Sequence, residues 1–158
     1  MDYKIASKAD IAELYALQLR AFESEAEMIG SRNVPALMES CAENRADFDN
    51  WTVLVRRDES GKIIGAVRYK KVDDHIDIGR LMVAPEHRNR GVASGLMRAV
   101  EEATQEDTFE LYTCTKSYTN IRLYEQLGYR IFKEERGERD LSFAYMRKTI
   151  DNRKAEAH

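Results

Sequence analysis

The chain has 158 residues, a length that suits one compact domain with a sizeable core. Hydrophobic residues make up 43% and charged residues 34%, which excludes a disordered chain. The formal net charge of −3 leaves no basic field for nucleic acid, and no apolar run approaches the about 18 residues needed to cross a membrane.

The segment Met1-Asp2-Tyr3-Lys4-Ile5 lacks the apolar centre of a secretion signal. Cys41 and Cys114 are far apart and form neither a disulfide framework nor a CxxC pair. The expectation is a cytoplasmic protein with no nucleic-acid or membrane partner. It consists of one domain over residues 1–150 and a polar tail over 151–158.

Tyr3 to Lys8 reads as an opening strand. Asp10 is placed to cap a helix whose Ile11, Leu14, Tyr15 and Phe22 share a face; Leu19 widens that face and Gln18 interrupts it. Ser24 to Asn33 shows no clear period, carries Gly30 and Asn33, and reads as a loop. Pro35 suits the first turn of a second helix, with Leu37, Met38 and Cys41 turned inward. Trp51 to Arg57, Lys62 to Lys71 and Ile76 to Val83 are β-rich and separated by turn chemistry, which predicts an antiparallel meander.

The period lengthens at Val92, where Leu96, Ala99, Val100 and Ala103 follow at helical spacing. Thr108 to Thr115 is a further strand, and Asn120 to Leu127 a short helix closed by Gly128. Tyr129 to Lys133 and Leu141 to Arg147 form a closing hairpin. A strand–helix–strand crossover between Ile76–Val83 and Thr108–Thr115 favours a parallel pair. The fold class is therefore α/β (α+β), with a mixed, mostly antiparallel sheet holding one parallel pair near its middle.

The chemistry concentrates between Leu81 and Ala93. A strand ends at Val83, Pro85 stops it, and a basic loop containing Gly91 feeds a helix. Unpaired amides at such a helix start attract phosphate oxygens, Gly91 allows close backbone approach, and Arg88 and Arg90 offer charged donors. Gly95, one turn on, would let that helix lie close to the sheet.

Arg88-Asn89-Arg90-Gly91-Val92-Ala93 resembles the (Arg/Gln)-x-x-Gly-x-(Gly/Ala) signature of the GNAT superfamily of N-acetyltransferases. Downstream, Asn120 to Tyr129 is similar to that family's Asn…Leu-Tyr-x-x-Leu-Gly-(Phe/Tyr) element, in the expected order. The resemblance covers about Trp51 to Arg147. It implies the GNAT acyl-CoA acyltransferase fold, with its parallel pair splayed, helices on both faces and acetyl-CoA as co-substrate without a metal. The implied cofactor contacts are Leu81, Met82 and Val83 on the strand, Arg88 to Ser94 (Asn89, Arg90, Gly91, Val92 and Ala93 included) at the loop and helix start, and Asn120 and Tyr124.

Direct acetyl transfer to an amine then needs a base and an acid. A lysine-like amine of pKa about 10.4 is neutral at pH 7 in roughly one molecule in 2,500, a deficit of about 4–5 kcal/mol. By resemblance, Asp77 is the first candidate base and Tyr124 the acid for the departing thiolate. The glutamates Glu23, Glu25 and Glu27 are the other candidate bases; they border the acceptor pocket and favour a cationic amine. The expected activity is an acyl-CoA-dependent N-acetyltransferase on a small-molecule or peptide amine, as monomer or homodimer. The alternative is a non-catalytic acyl-CoA-binding module. His75, His87 and His158 show no metal-ligand spacing.

Overall fold

The computed structural model describes residues 3–150, so the predicted tail at 151–158 and His158 lie outside it. The strands are β1 (Lys4–Ile5), β2 (Thr52–Arg57), β3 (Ile63–Val72), β4 (His75–Val83), β5 (Thr108–Cys114), β6 (Arg130–Arg136) and β7 (Ser142–Thr149). The helices are α1 (Ile11–Ile29), α2 (Pro35–Met38), α3 (Cys41–Asp47), α4 (Val92–Ala103) and α5 (Tyr118–Gln126). The strands form one sheet in the order β1-β2-β3-β4-β5-β7-β6, and the only parallel neighbours among the described residues are β4 and β5.

Helices cover both faces, which explains the unbroken apolar runs in the central strands. Val53, Leu54 and Val55 are all buried. Leu54 faces a cluster with Leu96, Val100 and Phe109 beneath α4, whereas Val53 and Val55 face Leu14, Leu17 and Ala21 of α1. Close packing of α4 depends on Gly65 of β3. A Cβ there would stand 2.7 Å from Val92 Cγ1 and 3.1 Å from Leu96 Cδ1. Gly95, expected to serve that purpose, instead makes room for the hydroxyl of Tyr3.

Four local expectations change. The opening strand is only two residues long and passes through Ser7 into a 3₁₀ turn at Lys8–Asp10. The predicted loop at Ser24 is helix: α1 runs on to Ile29 and stops at Gly30, whose left-handed φ of 76° and N–H to Ala26 O form its C-terminal cap. Within α1, Gln18 is buried and Leu19 exposed, the reverse of the simple apolar pattern. Gln18 Nε2 donates to Ala36 O at 3.0 Å and to Glu39 Oε1 at 2.9 Å, so its burial satisfies the backbone of α2. Finally, the second helix is split. Ala36 is the buried residue of α2, Met38 and Cys41 are exposed, and Ser40 starts α3 with a capping box to Glu43.

The Gly65 contact gives a direct test. Gly65→Ala should lower the unfolding free energy by about 1–3 kcal/mol, because both facing side chains are buried and overpacking outweighs the gain in strand propensity. A urea titration should show a lower midpoint at unchanged slope; an equal or higher midpoint would mean that α4 lifts away without cost.

Candidate active site

The site starts from a mismatch in β4. Ala66 pairs with Met82 and Arg68 with Gly79, so Val67 of β3 faces two residues, Arg80 and Leu81. Arg80 takes the left-handed φ of 47° that this bulge requires. On its other side β4 pairs with β5 only at Ile76 and Asp77, while β5 continues along β7 as far as Cys114. Beyond Asp77 the two parallel strands separate. The backbone of Leu81, Met82 and Val83 thus has no strand partner on that edge, and two hollows open there.

One hollow is a groove of about 510 Å³ between α1 and α5, floored by the end of β4 and the start of α4. Of the residues expected to hold a cofactor, Leu81, Met82, Val83, Arg88, Asn89, Gly91, Val92, Ala93, Ser94 and Asn120 line it. The Met82 side chain packs in the core with Leu14, Leu17 and Ala66, which leaves its backbone for the groove. Gly91 precedes α4 with φ 80°, Asn89 has φ 61°, and a Cβ on Gly91 would meet nothing within 4 Å. Gly91 is therefore required by backbone conformation rather than by crowding.

The first helical bond of α4 is Gly95 N–H to Gly91 O, so the amides of Val92, Ala93 and Ser94 have no carbonyl of the helix to reach. The helix has neither a side-chain cap nor an acidic residue in its first turn. These are the conditions for an anion at a helix N-terminus. The arginines behave differently from each other. Arg88 donates from Nη2 to Ala21 O at 3.0 Å and ties the loop to α1, whereas Arg90 is exposed and off the groove wall.

The second hollow, a cavity of about 540 Å³, lies on the other side of the split strands. Asp77 and Tyr124 line it, and it meets the groove at Phe22, Glu25, Leu81 and Asn120. The three glutamates part company because they sit on a helix rather than a loop. Glu23 pairs with Arg32, Glu27 is exposed and lines neither hollow, and Glu25 is buried at the junction. Burial raises the Glu25 carboxyl pKa above its usual range, partly offset by the Ser117 hydroxyl and the charges of Arg80 and Arg88.

Burial, then the Glu25 charge, also pushes the Tyr124 phenol upward, so it keeps its proton at neutral pH. Asp77 accepts or shares a proton with His75 Nε2 at 2.7 Å. His75, Asp77 and Glu110 bring possible metal-ligand atoms within 4.8 Å of one another, but Glu110 is also bonded by Arg147 Nε at 2.9 Å. Burial raises the Cys114 thiol to about 12, which disfavours a thiolate nucleophile.

This arrangement, a splayed parallel pair with an anion-ready helix start, coincides with a family match. The model of the acetyltransferase (GNAT) family fits residues 11–129. The chain belongs to that family. A relative, UPF0157 protein YqkA of Bacillus subtilis, is 28% identical over 119 residues, covering 75% of this chain and 34% of YqkA. The chain thus spans about a third of that relative's length.

The ribosomal-protein-S18-alanine N-acetyltransferase of Escherichia coli superposes with a TM-score of 0.74 at 16% identity, over 94% of this chain and 93% of that one. A phosphinothricin acetyltransferase of Sinorhizobium meliloti, solved with acetyl-CoA, gives 0.72 at 17% identity over 96% and 89%. At such identities these structures establish the GNAT fold. No helix among the described residues is long and apolar enough to cross a membrane.

Two site residues escaped sequence reasoning: Arg68 and Arg80 also line the cavity. Their meeting depends on the bulge, and no local pattern announces it.

Two measurements follow. Gly91→Ala should weaken acetyl-CoA binding about 5- to 30-fold in calorimetry, because a Cβ at φ 80° costs about 1–2 kcal/mol and the loop would shift. Full affinity in a folded variant would dissociate this loop from the cofactor. Glu25→Gln should be more stable than wild type at pH 7–8. The folded state holds the Glu25 proton more tightly than the unfolded state. Stability therefore falls as pH rises from the unfolded value, about 4.3, through the raised folded one. The advantage of the variant should vanish below about pH 4; the same difference at every pH would indicate a packing effect instead.

Proposed function

We propose that the chain transfers an acetyl group from acetyl-CoA directly to a primary amine of a small molecule or peptide, both substrates being bound at once. The observation that carries this reading is the junction: a groove suited to a pyrophosphate and pantetheine arm opens into a separate cavity at Glu25 and Asn120, beside Tyr124. Two substrates can approach each other there without a covalent enzyme intermediate. Acetyl-CoA supplies the thioester acetyl group and the thiolate that leaves.

The loop and first turn of α4, from Arg88 to Ser94, would hold the pyrophosphate through backbone amides. Leu81 to Val83 would pair with the pantetheine arm by strand addition, and an amide near Met82–Val83 would bind the thioester oxygen. Asn120 faces the same passage. We assign the base to Glu25 rather than Asp77. Glu25 stands at the junction and its raised pKa brings it nearer to neutral, where a base works best; Asp77 is held by His75 and lies only on the cavity side. Glu25 would take the ammonium proton of the acceptor, and Tyr124, which stays protonated, would give its proton to the sulfur. We place the protein in the cytoplasm, a reading supported by two unpaired cysteines.

Tyr124→Phe is the decisive variant. Turnover should fall by about 10²–10⁴-fold while acetyl-CoA affinity stays within a factor of about three, since the hydroxyl acts after attack. Thiol release against an amine panel, with binding measured in parallel, gives both numbers. Intact turnover with chemistry limiting would remove Tyr124 from the mechanism, and binding without turnover by the wild type on every amine would favour the acyl-CoA-binding alternative.

A further inference from the structure

Arg68 and Arg80 stand on neighbouring strands, at the bulge, and both line the cavity on the acceptor side. Their side chains retain only 15% and 16% exposure, so two like charges are largely withdrawn from water. Each Nε–H is buried with no hydrogen-bond partner. The carboxylates that accompany them are already engaged. Asp47 Oδ2 accepts from Trp51 Nε1 at 3.1 Å and reaches Arg68 Nη1 at 3.3 Å. Glu39 Oε1 accepts from Gln18 at 2.9 Å and Asn44 at 3.0 Å, and lies 3.7 Å from Arg80 Nη2, beyond hydrogen-bond length.

A guanidinium has five N–H donors in a fork that fits a carboxylate, and leaving it underpaired in a desolvated place is costly. Burial, then the Arg80 charge, lowers the Arg68 pKa to about 10 against the opposing charges of Asp47 and Glu39. Trp51 stacks on Arg68, its ring centroid 4.1 Å from Cζ, which fixes the plane of that fork.

We infer that Arg68 and Arg80 form a subsite for a carboxylate of the acceptor, so that the preferred amine is an amino acid or a short peptide with its carboxylate close to the amine. This rests on the acetyl-transfer reading above and names its substrate class. Glu25 at the junction supplies the complementary charge: an ammonium faces Glu25 while the carboxylate faces the arginines. Asp47 and Glu39 already neutralise part of the pair, which suits a singly charged carboxylate better than a doubly charged phosphate. Trp51, Tyr112 and Phe143 give the remainder of the cavity an aromatic wall, so an apolar side chain is accommodated. Of the other cavity charges, Arg147 is bonded to Glu110 and His75 to Asp77, while Lys133 pairs with Glu135 at 3.1 Å.

The test compares phenylalanine, phenylalanine amide, phenethylamine and phosphoethanolamine as acceptors with acetyl-CoA. Phenylalanine should have the highest kcat/KM. In Arg68→Gln and Arg80→Gln its advantage over phenethylamine should shrink about 10- to 100-fold, the range for losing a charge-assisted pair. Equal use of phenethylamine and phenylalanine overturns the inference, as does a lead for phosphoethanolamine or an equal loss on all amines in variants that still bind acetyl-CoA.

A second readout needs no turnover. In the presence of CoA, N-acetylphenylalanine should raise the wild-type melting temperature more than N-acetylphenethylamine, and the difference should vanish in both variants. If no amine is acetylated, the transfer reading fails, and this binding contrast alone upholds or overturns the carboxylate subsite.

Discussion

The extra residue of β4, where Arg80 and Leu81 stand against Val67 alone, is the constraint on which the site depends. A bulge bends its strand and raises its twist, and β4 leaves β5 just after Asp77, close to that bend. In an unbroken parallel sheet the edge of Leu81 to Val83 would be closed by β5. Here it is left open, and the same departure separates the groove that leads to α4 from the cavity that reaches Tyr124. Both substrates would therefore be located by one irregularity in pairing. Arg80 is the residue in the left-handed conformation, so its side chain is redirected by the same event.

An open split in the centre of a sheet loses packing, and the surrounding structure compensates on both faces. Under α4, Gly65 allows Val92 and Leu96 to seat on β3, which holds the helix start where its amides border the groove. Under α1, Leu14, Leu17 and Ala21 bury against β2 and β3, and the helix runs on to Ile29, which packs in a cluster with Cys114 of β5. That length carries Glu25 to the junction. Gln18 anchors the next segment through Ala36 and Glu39, and Glu39 in turn stands beside Arg80. The polar residues of α1 are thus placed by the same packing that fixes its apolar face.

Much of this was legible in the residues. The strand, loop and helix from Ile76 to Ala103 are dictated locally, by Pro85, Gly91 and the helical spacing of Val92, Leu96 and Val100. The crossover to Thr108 then set the parallel pair. What failed was read from one-dimensional pattern where packing decides. Ser24 to Asn33 reads as a loop because it shows no clear period and carries Gly30 and Asn33, although Gly30 marks the stop of α1; alternate charges hide a helix whose neighbours bury only one of Glu23, Glu25 and Glu27. Gln18 looked like a flaw in an apolar face because its partners lie on α2. Arg68 and Arg80 are twelve residues apart on two strands, and only a register shift brings them to the same cavity wall. Gly95 was the right kind of residue in the wrong contact, since the surface it meets is Tyr3 and not the sheet.

The electrostatics of the junction carry one more consequence. Glu25 is held above its ordinary pKa by burial, while Arg80 and Arg88 pull it back. On the proposed reading each substrate alters one of these terms. A pantetheine arm in the groove excludes water from the side of Glu25 that faces it, which raises the pKa further. A carboxylate paired with Arg80 withdraws the positive charge that favoured ionised Glu25, and this acts in the same direction. The ammonium of the acceptor opposes both until its proton has moved. Once the proton has moved, Glu25 therefore holds it more tightly with groove and cavity filled than with either empty. The burial of one carboxylate at the meeting of two hollows, rather than its exposure in a loop, is what allows that coupling.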